Sequence, residues 1–177
     1  MKKLKCISIV ILLFFIIYFL QMNFFTWFNI AGIMPNLFVT LVLFIGLFIG
    51  QKMGVCFGLL FGLFLDIMIG KNTFFTGIVL AIVGLIGEYF DKSFSKDNKL
   101  MIILLNVMCT IVFEIILYAL NIIIFKIDIE VKQFIINLLI ECIFNSFILI
   151  IFYGGMKKLG YYLEENFKGK TFLTRYF

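Results

Sequence analysis

Residues 37–69 read LFVTLVLFIGLFIGQKMGVCFGLLFGLFLDIMI, an apolar stretch interrupted by charge or amide only at Gln51, Lys52 and Asp66. One unbroken helix of this length would run about 50 Å, well beyond the ~30 Å hydrocarbon layer of a bilayer. Two short spans joined by a tight turn at Gln51 and Lys52 fit that layer, over residues 37–50 and 54–70. Further apolar runs occupy residues 6–22, 74–90, 100–125 and 131–156, with one clear polar linker from Asp91 to Lys99. The pattern predicts an all-α integral membrane protein, a single domain of six transmembrane helices followed by a charged tail over residues 157–177.

The composition supports this from another direction. Of 177 residues, 64% are hydrophobic and 14% charged, too few charges to cover so much apolar surface in water. Lipid is therefore the expected solvent. MKKLK followed by an apolar run has the layout of a secretory signal, but a convincing small-residue cleavage site is missing, so the segment reads as a retained first span. Residues Gln21 to Asn36 carry Trp27 and Pro35 and no charge, which suits an interfacial loop with an aromatic anchor.

Six spans put both termini on one side, and the basic residues say which. Lys2, Lys3, Lys5, Lys52, Lys92, Lys96, Lys99, Lys157, Lys158, Lys168, Lys170 and Arg175 fall on the side of the termini, against only Lys71, Lys126 and Lys132 opposite. The bias places the termini in the cytoplasm. The aromatic and basic residues from Tyr161 to Phe177 fit either a solvated anchor to anionic lipid or a segment lying among the headgroups.

Several function classes drop out. There is no histidine, and Cys6, Cys56, Cys109 and Cys142 are widely spaced within or beside apolar runs, so they read as small buried side chains instead of metal ligands. The net charge of +5 is spread over short connections, which explains it by topology and not by nucleic-acid binding. No HExxH, P-loop or strand-borne GxGxxG is present, and no connection is long enough to form a soluble catalytic domain. No enzyme activity, metal, cofactor or small-molecule ligand is expected.

The motifs point to packing. Gly46, Gly50, Gly54, Gly58 and Gly62 recur every fourth residue, which within each span sets the glycines near one face and lets another helix approach closely. The second and third spans are thus expected to pack tightly, within the molecule or as a docking face for a helix of another protein. Asp66 shares that face, lying four residues after Gly62 and four before Gly70, with Lys71 near enough to form a helix-end ion pair. The fifth span carries Asn106, Thr110, Glu114 and Tyr118, and the sixth Asn137, Glu141 and Asn145, each set at a spacing of four. Antiparallel packing brings Glu114 and Glu141 to nearly one depth with no Lys or Arg in either span. Two close carboxyls there predict a shared proton and a buried hydrogen-bonded network of Asn106, Glu114, Asn137, Glu141 and Asn145, with an acid/base pair as the other reading.

Pro35-Asn36-Leu37, the glycine ladder through Gly54, Gly58 and Gly62, then Asp66 and Gly70, with Asn145 in the last span, together resemble the bacterial rod-shape-determining protein family MreD over most of the chain. The stretch Lys71 to Thr76 departs from the family's pattern, the next glycine coming only at Gly77. The resemblance implies a non-enzymatic, multi-pass component of the cytoplasmic membrane that helps organise peptidoglycan synthesis and cell shape. Its implied partners are membrane lipids, MreC-like and MreB-like proteins, and the peptidoglycan glycosyltransferase and transpeptidase of the elongation complex. It also implies that Pro35, Gly58, Gly62 and Asp66 serve structure or partner contact. The family's fold resembles the six-helix substrate-binding subunits of energy-coupling-factor vitamin transporters, which supplies the alternative: such a subunit would hold a small molecule with Glu114, Glu141, Asn137 and Trp27. An unrelated integral-membrane enzyme is a third reading.

Overall fold

The computed structural model describes residues 2–69, 74–91, 96–126 and 130–168. These form six helices: α1 (Lys2–Trp27), α2 (Leu37–Ile49), α3 (Gln51–Ile69), α4 (Phe75–Asp91), α5 (Lys99–Phe125) and α6 (Val131–Lys168). Among the described residues no strand forms; an isolated bridge between Ile30 and Ile33 closes a turn in the α1–α2 connection. The protein is all-α. By length and composition α1, α5, α6 and residues Lys52–Ile69 of α3 are each long and apolar enough to cross a membrane.

Helix α2 organises the bundle. Its sequence is apolar on every side, and all 13 of its residues are buried, the behaviour of a helix wrapped by other helices on every side. At about 20 Å it is shorter than the hydrocarbon layer, a mismatch that a protein-lined helix tolerates because its ends meet protein instead of lipid. Its start is set by Asn36, whose side chain accepts from Val39 N at 3.4 Å. Its end is set by Gly50, at φ 115° and ψ 172°, a conformation closed to other residues without strain.

The break between the second and third helices is therefore one residue, Gly50, and α3 already includes Gln51 and Lys52. The turn lies one step earlier than the polar pair suggests, since backbone conformation and not side-chain polarity decides where a helix can reverse. Aromatic packing joins α1 to this centre: the Phe14 ring stacks on Phe61 at 4.0 Å and lies 5.5 Å from Phe38. Outward, Ile135, Leu139, Ile143, Phe147 and Ile151 of α6 are all exposed at a spacing of four, a face whose natural solvent is acyl chain.

Two boundaries differ from the sequence reading. Helix α1 does not stop near Met22; it continues through a π-helical turn, Leu20–Phe24, to Trp27. The polar residues that suggested a loop are satisfied on the helix itself, with Asn23 Nδ2 donating to Phe19 O at 3.0 Å and Thr26 Oγ1 to Asn23 O at 2.6 Å. Helix α6 likewise does not end at Met156 but continues to Lys168. Gly160 is buried against the Phe48 ring and Leu163 is buried, so this part of the tail packs on the bundle. Gly70, Lys71 and residues 169–177 of the tail lie outside the described residues.

Candidate functional site

The glycines of α2 and α3 converge on α4. A methyl group on Gly58 would lie 2.6 Å from the Leu80 carbonyl oxygen, and one on Gly54 would lie 2.9 Å from that of Gly84. One on Gly46 would strike the same Gly84 oxygen, and one on Gly62 would strike the Gly77 backbone. The approach is mutual, since Gly84 is closed off by Gly54 and Gly87 by the Leu43 carbonyl at 2.7 Å. The ladder thus serves a three-helix seam in which α4 receives both neighbours, and α2 and α3 also approach each other closely where Gly54 meets Gly46. The α4 members of the seam, Gly77, Gly84 and Gly87, escape a search for period four because they are spaced by seven and three.

Asp66 lies just past this seam and is 1% exposed. Its Oδ2 accepts from the Thr76 backbone amide at 3.0 Å, so the carboxyl caps the start of α4 from the end of α3. The pairing with Lys71 expected from sequence falls outside the described residues. Pro35 is buried directly before the Asn36 cap of α2.

A buried polar layer crosses the bundle from α2 to α5 and α6. Thr40 Oγ1 donates to Asn106 Oδ1 at 3.0 Å, Thr110 Oγ1 donates to the Asn106 carbonyl at 3.0 Å, and Asn145 Nδ2 donates to Thr110 Oγ1 at 3.1 Å. Asn145 Oδ1 in turn accepts from Asn36 N at 2.7 Å. Thr40 and Asn36 escape the polar stripes of the sequence, because a single hydroxyl in an apolar helix and a loop amide make no periodic pattern. Asn137 stands apart from this layer: its Oδ1 accepts from Gln133 Nε2 at 2.8 Å, one turn away on the same helix. It sits in the second turn of α6 and is half-buried.

Beside the polar layer, Glu141 of α6 lies close to Glu114 on α5 and to Asn145. Both carboxyls line a cavity of about 380 Å³ bounded also by Gln21, Asn36, Tyr118, Asn121 and Asn137, with apolar walls from Phe113, Leu117 and Leu138. Glu141 is 8% exposed, and its Oε1 has no hydrogen-bond partner. Trp27, the fourth residue of the transporter-like arrangement, is 88% exposed and does not line the cavity. No group of three or more metal-ligating side chains occurs among the described residues.

The opposite end of the bundle is closed by charge. Lys96, 7% exposed, pairs with Asp91 and Glu164 at 2.5 Å each and lies 5.0 Å above the Phe48 ring. Next to it, Asp97 receives Lys157 Nζ at 2.7 Å and the Tyr161 hydroxyl at 3.1 Å. The Lys157 and Tyr161 hydrogen bonds hold the Asp97 carboxyl below its ordinary value, and the bond to Asp97 raises the Lys157 ammonium above its own. Burial, then the bond to Asp97, pushes up the Tyr161 hydroxyl. Together these contacts tie the α4–α5 connection to the last turns of α6.

No curated protein and no solved structure matches the chain, so the likeness to energy-coupling-factor subunits and the vitamin-transporter alternative have no support. The profile of a family described as rod shape-determining protein MreD, which is not a known enzyme family, does match, over residues 1–162. A match covering nearly the whole helical bundle, from the first helix into the last, shows that this multi-pass membrane protein belongs to the MreD family, with a role in rod-shape determination.

Proposed function

We propose that the protein is a non-enzymatic component of the bacterial cell-elongation complex, held in the cytoplasmic membrane, that helps organise peptidoglycan synthesis through helix contacts with partner proteins. The family match over residues 1–162 carries this reading. The spans are residues 6–22, 37–50, 54–70, 74–90, 100–125 and 131–156, in one domain with both termini and the 157–177 tail cytoplasmic. The twelve-to-three distribution of basic residues supports that orientation.

The partners in this reading are MreC-like and MreB-like proteins and the peptidoglycan glycosyltransferase and transpeptidase. The glycine seam of Gly46, Gly54, Gly58 and Gly62 is taken up by α4, so its role is to hold the bundle in shape, and contact with partners falls to outward surfaces such as the apolar face of α6. Pro35 stands buried before the Asn36 cap, Gly50 and Asp66 set helix ends, and Asn106, Glu114, Glu141 and Asn145 tie α5 to α6. Depletion in the native cell, followed by microscopy, tests the function: rods should widen and round up, and unchanged rods would overturn it.

A further inference from the structure

We propose that the cavity lined by α5 and α6 together with residues of α1, α2, α3 and α4 is a binding site for a primary ammonium group attached to an apolar body. Three observations converge. Glu141, more than nine-tenths buried, lines the cavity and carries a carboxyl oxygen with no hydrogen-bond partner, and an unpaired buried polar atom is held at a cost that a partner group relieves. Glu114 stands beside it, and the other described polar lining groups are amides and hydroxyls, with no Lys or Arg among them, so the site favours a cation and disfavours an anion.

The walls supply the second half of the recognition. Tyr118 and Phe134 stack at 4.1 Å and both line the cavity, offering aromatic faces to a cation and apolar area to its body. A volume of about 380 Å³ lies at the small end of the range for ligand pockets, about 300–1,000 Å³, and suits a small aromatic or aliphatic amine. The same chemistry is presented by a free amine and by the ethanolamine headgroup of a phospholipid. This site goes beyond the organising role above and departs from the sequence expectation of a bundle without a ligand.

The test uses the purified full-length chain. In micelles, 2-phenylethylamine should raise the thermal midpoint by about 2–4 °C at saturation, while 2-phenylethanol, the same body without the ammonium, should not. In nanodiscs, a headgroup source predicts a higher midpoint in phosphatidylethanolamine than in phosphatidylglycerol, with no further gain from the amine. A free-amine source predicts an equal amine-induced gain in both. Glu141→Gln should remove the response, and so should Leu138→Trp, which fills the cavity from its wall and decides the matter if the first variant fails to fold. An absent response to every probe, or an undiminished one in either folded variant, would overturn the site.

Discussion

Asp66 and Thr76 join the end of α3 to the start of α4: the carboxyl oxygen accepts from the Thr76 backbone amide at 3.0 Å, in a position 1% exposed. A helix start inside a membrane protein has few other acceptors, so this bond is difficult to replace with water. Asp66→Ala should lower unfolding free energy by about 1–3 kcal/mol, and Asp66→Asn by less, because the amide oxygen still accepts. Denaturation in mixed micelles measures both. Equal losses would show that the acceptor is not what matters.

The seam gives a contrast between glycines that are filled in and glycines that are not. Gly58→Val and Gly84→Val push against backbone that has no rotamer to yield, and each should cost about 1–3 kcal/mol or prevent folding. Gly155, on α6, has nothing within 4 Å of where a Cβ would sit. Gly155→Ala should leave stability unchanged or raise it by up to ~1 kcal/mol through helix propensity. Yield and thermal midpoint in detergent separate the two classes.

The Thr40–Asn106 bond links α2 to α5 at 3.0 Å within a layer that has no access to water. Thr40→Val strands an acceptor and Asn106→Leu strands a hydroxyl, while the double substitution removes both needs. The two single losses together should exceed the double-mutant loss, with a coupling of about 0.6 kcal/mol, the average for interhelical bonds in membranes, and at most about 1.7 kcal/mol. Strict additivity would mean that the bond contributes nothing.

Lys96 is buried between Asp91 and Glu164. Lys96→Met removes the buried ammonium that both carboxylates share and should cost about 3–5 kcal/mol. A variant that also carries Glu164→Gln should recover part of that. Protease access to the α4–α5 connection reads the loosening directly.

Acid acts through the adjacent Asp97. Its carboxyl titrates below the ordinary 3.8, so its contribution to stability is complete above that value and is lost as pH falls through the lowered one. The Lys157 ammonium, raised above its ordinary 10.5, contributes fully below that value and is lost only as pH climbs past it. Stability from this pair should be flat through neutral pH. Asp97→Asn should shallow the acid limb slightly, because Asp97 is exposed and solvent screens the interaction. An acid limb unchanged in Asp97→Asn would remove the pair from the account.

Much of the bundle is legible along the chain. The long apolar segments mark the helices, since only a helix satisfies its own backbone in lipid, and residues at a spacing of four mark their faces. The start of the Gln21 to Asn36 segment is helix where its polarity suggests a loop, because Asn23 and Thr26 return their side-chain bonds to their own helix. At the other end of the chain, charge at Lys157 and Lys158 signals the edge of the lipid and not the edge of the helix: α6 continues beyond the 131–156 span while packing Gly160 and Leu163 on the bundle.

Membrane residence, helical class and the small-residue faces thus follow from hydrophobicity and period alone, both local properties that a linear string records. Which helix each face meets is a different kind of information. A glycine stripe declares that something comes close without naming it, and only the folded bundle shows that α4 fills it, that α2 is enclosed on every side, and that Thr40 and Asn36 complete the layer begun by Asn106 and Asn145. The cavity beside Glu141 belongs to this second class as well, for an empty volume is made by the walls of several helices together and is written in none of them.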